Sequence, residues 1–169
     1  MNYIWLIPIA FSVHELEEWN ILKWYRKYFS NLPDSSNTSI RIHIVTLSLV
    51  AFLLTYLARI LSGTFAFSLI IAFLSAFILL NFIQHIIWTA QLRAYSPGLL
   101  TACASIMVVV FVHIELIQSA LFSLPFYALV VFTIMPIRET LKVKGEMTPE
   151  IRKVHEFFIK IEKMLRRGK

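Results

Sequence analysis

The chain has 169 residues, 58% of them hydrophobic and only 15% charged, with 14 phenylalanines and a mean hydropathy of +0.71. A soluble domain of this size needs far more polar surface, so the composition excludes one and points to an integral membrane protein. The net charge of +6 comes without any nucleic-acid fold or motif, and the single cysteine, Cys103, excludes an internal disulfide.

A membrane span needs roughly 20 mostly apolar residues. Five stretches are predicted to qualify: about Tyr3 to Leu22, Ile42 to Leu61, Phe65 to Ala90, Pro97 to Ile117 and Ala120 to Pro136. No basic leader or small-residue cleavage site precedes the first, which is expected to be kept as a span. It qualifies only if the polar run HELEE, residues 14–18, lies within the membrane. The stretch SNLPDSSNTS, residues 30–39, reads as a polar loop, and LSGTF around Gly63 as a tight connection. Ser96 followed by Pro97 reads as a helix cap with proline at the first helical position. The fifth stretch follows Gln118 and Ser119 and contains Pro125.

Charge orients the bundle. With the N-terminus outside, the first and third connections and the tail are cytoplasmic and hold every lysine and arginine except Arg59. Lysine and arginine gather on the cytoplasmic side of membrane proteins, which supports five spans, N-terminus out and C-terminus in.

The tail reads differently. Thr148-Pro149-Glu150 marks a helix start, after which Ile151, Val154, Phe157, Phe158, Ile161, Met164 and Leu165 fall at helical spacing. Arg152, Lys153, Glu156, Lys160, Lys163, Arg166 and Arg167 lie opposite. This is an amphipathic helix suited to anionic lipid at the inner membrane face, although a helix packed on its own protein gives the same pattern. The expected organisation is a transmembrane helical domain over 1–140 and a basic amphipathic tail over 141–169.

Polar residues inside apolar spans carry the functional signal. At 100° per residue His14, Glu17 and Glu18 share one arc of the first helix, while Glu15 projects to the side. Asn81 and His85, four apart, share a face of the third. Helical rise puts Glu17 and Glu18 about 21–22 Å from Tyr3, and Asn81 and His85 about 24–30 Å from Phe65. Thr101 lies about 6 Å into the fourth helix on the same scale, so all three sets reach the inner third of the membrane.

His14-x-x-Glu17-Glu18, Asn81-x-x-x-His85 and Arg93-x-x-x-Pro97-Gly98-x-x-Thr101 resemble, in order, the three motifs of the HXXEE family of uncharacterised multi-span membrane proteins. The resemblance covers roughly residues 5 to 115 and supports the choice of residues; it implies no particular reaction.

Adjacent glutamates in low dielectric need a cation or protons. His14, His85 and Glu17 or Glu18 make a two-histidine, one-carboxylate set, the ligand types of catalytic zinc, with the other glutamate free as general base and Asn81 a further ligand. Iron or manganese also accepts such ligands. The helical zinc-protease motif is excluded because Glu18 stands where its second histidine belongs. Arg93 beside the first amides of the fourth helix, near Gly98 and Thr101, suits an anionic group.

The leading expectation is a metal-dependent hydrolase or transferase acting on a lipid-like substrate with an anionic head, in the cell membrane as a multi-pass protein. A proton- or ion-coupled transporter using the same cluster without metal, and a non-catalytic scaffold held by buried polar contacts, stay open, as does oligomerisation. His43, His113, Glu115 and His155 are set aside, His155 as solvated. Trp5, Trp19, Trp24, Tyr25 and Trp88 read as interfacial belt residues.

Overall fold

The computed structural model describes residues 2–116 and 120–167, with backbone alone over 120–129 and at 132. Among them are seven α-helices and no strand. A short 3-10 helix, Asn2–Trp5, leads into α1 (Leu6–Glu17), followed by α2 (Leu22–Tyr28), α3 (Asn37–Ile60), α4 (Phe65–Leu92), α5 (Leu99–Leu116), α6 (Ala120–Lys142) and α7 (Pro149–Arg167).

Local chemistry sets several of these ends. The Ser36 hydroxyl accepts from the Ser39 amide and the Ser39 hydroxyl from the Ser36 amide, both at 3.0 Å, a reciprocal cap that starts α3. Thr64 caps α4 by accepting from the Phe67 amide, directly after the turn at Gly63, whose φ of +82° favours glycine. α4 stops where Arg93 adopts a left-handed φ of 49°.

Helices α3, α4 and α5 are long and apolar enough to cross a membrane. The most apolar windows of α3 and α5 are only 22% and 28% buried within the protein. Leu49, Leu53, Met107 and Ile114 are exposed along them, a surface that lipid can solvate and water cannot. The expected second, third and fourth spans thus match α3, α4 and α5 within a few residues at most ends.

The first segment differs. It was expected to run as one helix to Leu22, but the helix ends at Glu17, turns over 18–21 and resumes as α2. Leaving Glu18 outside the regular helix is what lets the two adjacent glutamates take different partners. α6 runs past the expected end at Pro136 to Lys142, and Thr140 donates its hydroxyl back to the Pro136 carbonyl. Gln118 and Ser119 lie outside the described residues.

α4 is the central element, packed on α3, α5 and α6; α1 packs on α3 and α5, and α7 on α3. Two apolar cores result. One gathers Ile4, Ile7 and Phe11 with Ala58, Ile71 and Val112. The other gathers Ile21, Tyr25, Phe29 and Trp88 with Ile40 and Met147. Tyr25 and Trp88, expected at the interface, are therefore core residues, with Trp24 stacked against both.

Candidate functional site

The polar motifs converge between the two cores, and the break in the first segment divides their work. Glu17, the last residue of α1, reaches α5: one carboxylate oxygen accepts from the Thr101 amide at 3.1 Å and the Thr101 hydroxyl at 2.6 Å. The other accepts from the Tyr95 hydroxyl, which itself accepts from the Leu100 amide at 3.3 Å. Glu17 thus satisfies free amides at the start of a neighbouring helix and complements its dipole.

Glu18 turns the other way. Its Oε1 lies 2.8 Å from His85 Nε2 and 3.6 Å from His14 Nε2. One ligand atom from each of His14, Glu18 and His85 fits within a 4.8 Å group that could hold a metal ion. Both imidazoles are almost completely buried, at 2% and 1% exposure.

Neighbours orient the two rings. His14 Nδ1 lies 3.0 Å from the Gly98 carbonyl, which can only accept, so Nδ1 carries the proton and Nε2 presents a lone pair. That Nε2 is buried without a hydrogen-bond partner. His85 Nδ1 lies 2.9 Å from the Ser96 hydroxyl, with its ring against Trp88. Histidine ligands are commonly held in this way through the second ring nitrogen.

Gly98 forms the floor. A Cβ there would lie 2.7 Å from Glu18 Oε1 and 2.8 Å from the Cε1 atoms of both histidines, and φ is +97°. Glycine leaves room for the cluster and permits the turn. The expected cap at Ser96 is not formed, because α5 begins at Leu99 and the Ser96 hydroxyl faces His85.

A cavity of about 270 Å³ opens beside the cluster, walled by Glu15, Glu18, His43, Asn81, His85 and His155 among others. Asn81 therefore lies at the site, on the cavity wall. Glu15, expected to project aside, is 4% exposed and belongs to the wall. His155, expected in solvent, is also buried. It contacts the Ser35 hydroxyl at 3.2 Å and stacks edge-on with His43 and Tyr25. Burial, reinforced by nearby His43, lowers its pKa to about 4.

Arg93 sits exposed at the end of α4. Of the two amides expected to receive an external anion, Gly98 and Leu99, that of Leu99 donates to the Ser96 carbonyl; beyond them Leu100 donates to Tyr95 and Thr101 to Glu17. Glu15, His43 and His155 were not singled out from sequence because each becomes part of the site through packing of α1, α3 and α7. Only the helical spacing of His155 with Ile151 and Phe158 hinted at an inward face.

The family described as protein of unknown function with HXXEE motif matches residues 5–113. The chain belongs to that family. No curated protein and no solved structure matches it.

Proposed function

We propose that this HXXEE-family chain is a multi-pass membrane protein with a divalent metal centre at His14, Glu18 and His85, and that it acts as a metal-dependent hydrolase or transferase on a lipid-like substrate. The observation that carries the reading is His14 Nε2. It is a buried lone pair without a partner, held toward a carboxylate and a second imidazole.

Ligand atoms of a tetrahedral zinc ion lie about 3.3 Å apart, given bonds of roughly 2.0–2.1 Å. The 3.6 Å separation of His14 and Glu18 is close to that value. The 2.8 Å pair of Glu18 and His85 is a hydrogen bond that an ion would replace. Two neutral imidazoles and one carboxylate leave the fourth position open, where a metal supplies activated water at neutral pH. Zinc suits the set best, and iron or manganese accepts it as well.

The residues have separate tasks in this reading. His14, Glu18 and His85 bind; Gly98 and Ser96 orient the rings; Asn81 directs what enters from the cavity. Glu17 positions α5 and with it the Gly98 carbonyl. Arg93 anchors the end of α4 at the head groups.

α1 and α6 complete five spans, N-terminus out and C-terminus in, across residues 1–140 of a cell-membrane protein. Over 141–169, α7 lies on the inner face. Val154, Phe157, Met164 and Leu165 are exposed on α7 beside Lys153, Lys160, Lys163 and Arg167, an arrangement that takes anionic lipid.

A second reading, transfer of protons or ions without metal, draws on the same cavity, where two further histidines, His43 and His155, stand beside Glu15. Elemental analysis of purified protein beside His14→Ala and His85→Ala separates the two. The metal reading expects about one ion per chain, lost in both variants with the helical signal retained. Trace metal in native and reloaded protein would end it.

A further inference from the structure

An apolar groove of about 110 Å³ runs between α1, α3 and α4 and shares two walls, Leu47 and Phe77, with the polar cavity. Along it lie Phe11 and Ala51, and its outer lip is formed by exposed Val50 and Phe73. A polar chamber joined to an apolar groove that opens on the lipid-facing side has the shape of an amphiphile: a head inside and a chain leading out. Small-molecule pockets commonly fall between about 300 and 1,000 Å³, and the two spaces together reach that range.

Glu15 identifies the head. Glu15 is 4% exposed and lines the chamber, so its carboxyl meets whatever enters that space. No lysine or arginine lines the chamber among the described residues, while Glu15, Glu18 and Glu150 do. Away from the ion proposed at Glu18, a phosphate or carboxylate head would meet Glu15 and Glu150 with no lysine or arginine beside them among the described residues. A protonated amine supplies a positive charge for these acids and N–H donors for Glu15.

We propose that the site takes a single-chain amphiphile with a protonated amine head, Glu15 accepting its N–H and the Leu47–Phe77 groove holding the first carbons of its chain. The inference rests on the cluster at Glu18 being the reaction centre, and names the class of substrate delivered to it. Head recognition belongs to Glu15 and does not require the ion.

Hexadecylamine is the probe, titrated into the purified full chain in a neutral maltoside micelle. Hexadecyl phosphate and hexadecanol serve as competitors, and emission from Trp88 on the chamber wall reports binding. The expected result is saturable amine binding that hexadecyl phosphate does not displace, weakened at least tenfold in Glu15→Gln. Ala51→Phe, which fills the groove, should likewise weaken hexadecylamine binding.

Equal binding of amine and phosphate by the wild-type chain overturns the proposal, and that comparison stands even where Glu15→Gln does not fold. So does a folded Glu15→Gln that binds the amine as the wild type does. Metal content measured on the same samples keeps the two readings apart. Amine selectivity with only trace metal removes the metal centre and supports the chamber. Full metal occupancy without head-group preference removes the chamber and leaves the centre.

Discussion

His14 gives its Nδ1 proton to the carbonyl of Gly98, 3.0 Å away, and Gly98 in return leaves open the space that His14, His85 and Glu18 share. Ring orientation and backbone conformation are therefore set by the same pair. Gly98→Ala tests the pairing, since its methyl would come within 2.7–2.8 Å of all three side chains at a φ of +97°. The expected outcome is loss of bound metal together with a destabilisation of about 1–3 kcal/mol, typical of overpacking, read by elemental analysis and thermal unfolding in detergent.

The two adjacent glutamates should fail differently. Glu18→Gln keeps the side-chain volume but removes the anionic ligand, so metal should be lost while thermal stability holds. Glu17→Ala removes the group that caps α5 and should cost about 0.5–2 kcal/mol, as helix-cap deletions do, with metal retained at neutral pH. Equal metal loss in both variants would contradict this division of roles.

Ser96→Ala probes support for the second ring. Its hydroxyl lies 2.9 Å from His85 Nδ1, and removal of such an outer partner lowers metal affinity roughly 10–100-fold in known sites. Competition with a chelator of known affinity measures the change. An unaltered affinity would show that Trp88 packing alone holds the ring.

Acid should release the tail helix. Burial, with His43 adding to it, holds the His155 pKa at about 4, below its value of 6.5 when exposed. The docked helix therefore has its full stability above pH 6.5 and loses it progressively as pH falls from 6.5 toward 4, because the undocked form takes up the proton first. Hydrogen exchange over α7 should quicken in that window, and His155→Phe should reduce the pH dependence to what His43, packed on Phe158, contributes. Protection that is flat from pH 7 to 4.5 in the wild type would refute the assignment.

Much of this structure was legible in the sequence where one physical signal dominated. Long apolar runs located α3, α4 and α5, and the rarity of histidine and glutamate in such runs picked out His14, Glu17, Glu18 and His85, without deciding between the two glutamates. What misled was treating residues 3–22 as one periodic helix. The turn after Glu17 is held by tertiary contacts: Glu17 to Thr101, and Arg41, which donates to Asn20 and lies over the Trp19 ring. Such contacts leave no trace in local spacing.

Likewise, the apolar stripe on α7 correctly marked a helix with two faces, but its axis was misplaced. His155 and Glu162 lie inside with Phe158, while Phe157 and Met164 lie outside. Ser35 and Ser36, just before α3, meet that inward polar edge: Ser35 bonds His155 and Ser36 donates to Glu162. Hydropathy cannot anticipate that pairing, because it scores each side chain without its partner.

The short connection from α4 to α5 and the first turn of α5 are tied to both α4 and α1: Ser96 to His85, Gly98 to His14 and Thr101 to Glu17. These ties make the hairpin a clasp fastened by the side chains of the candidate site. A tilt of α5 would pull on Ser96 and Gly98, and through them on both imidazoles.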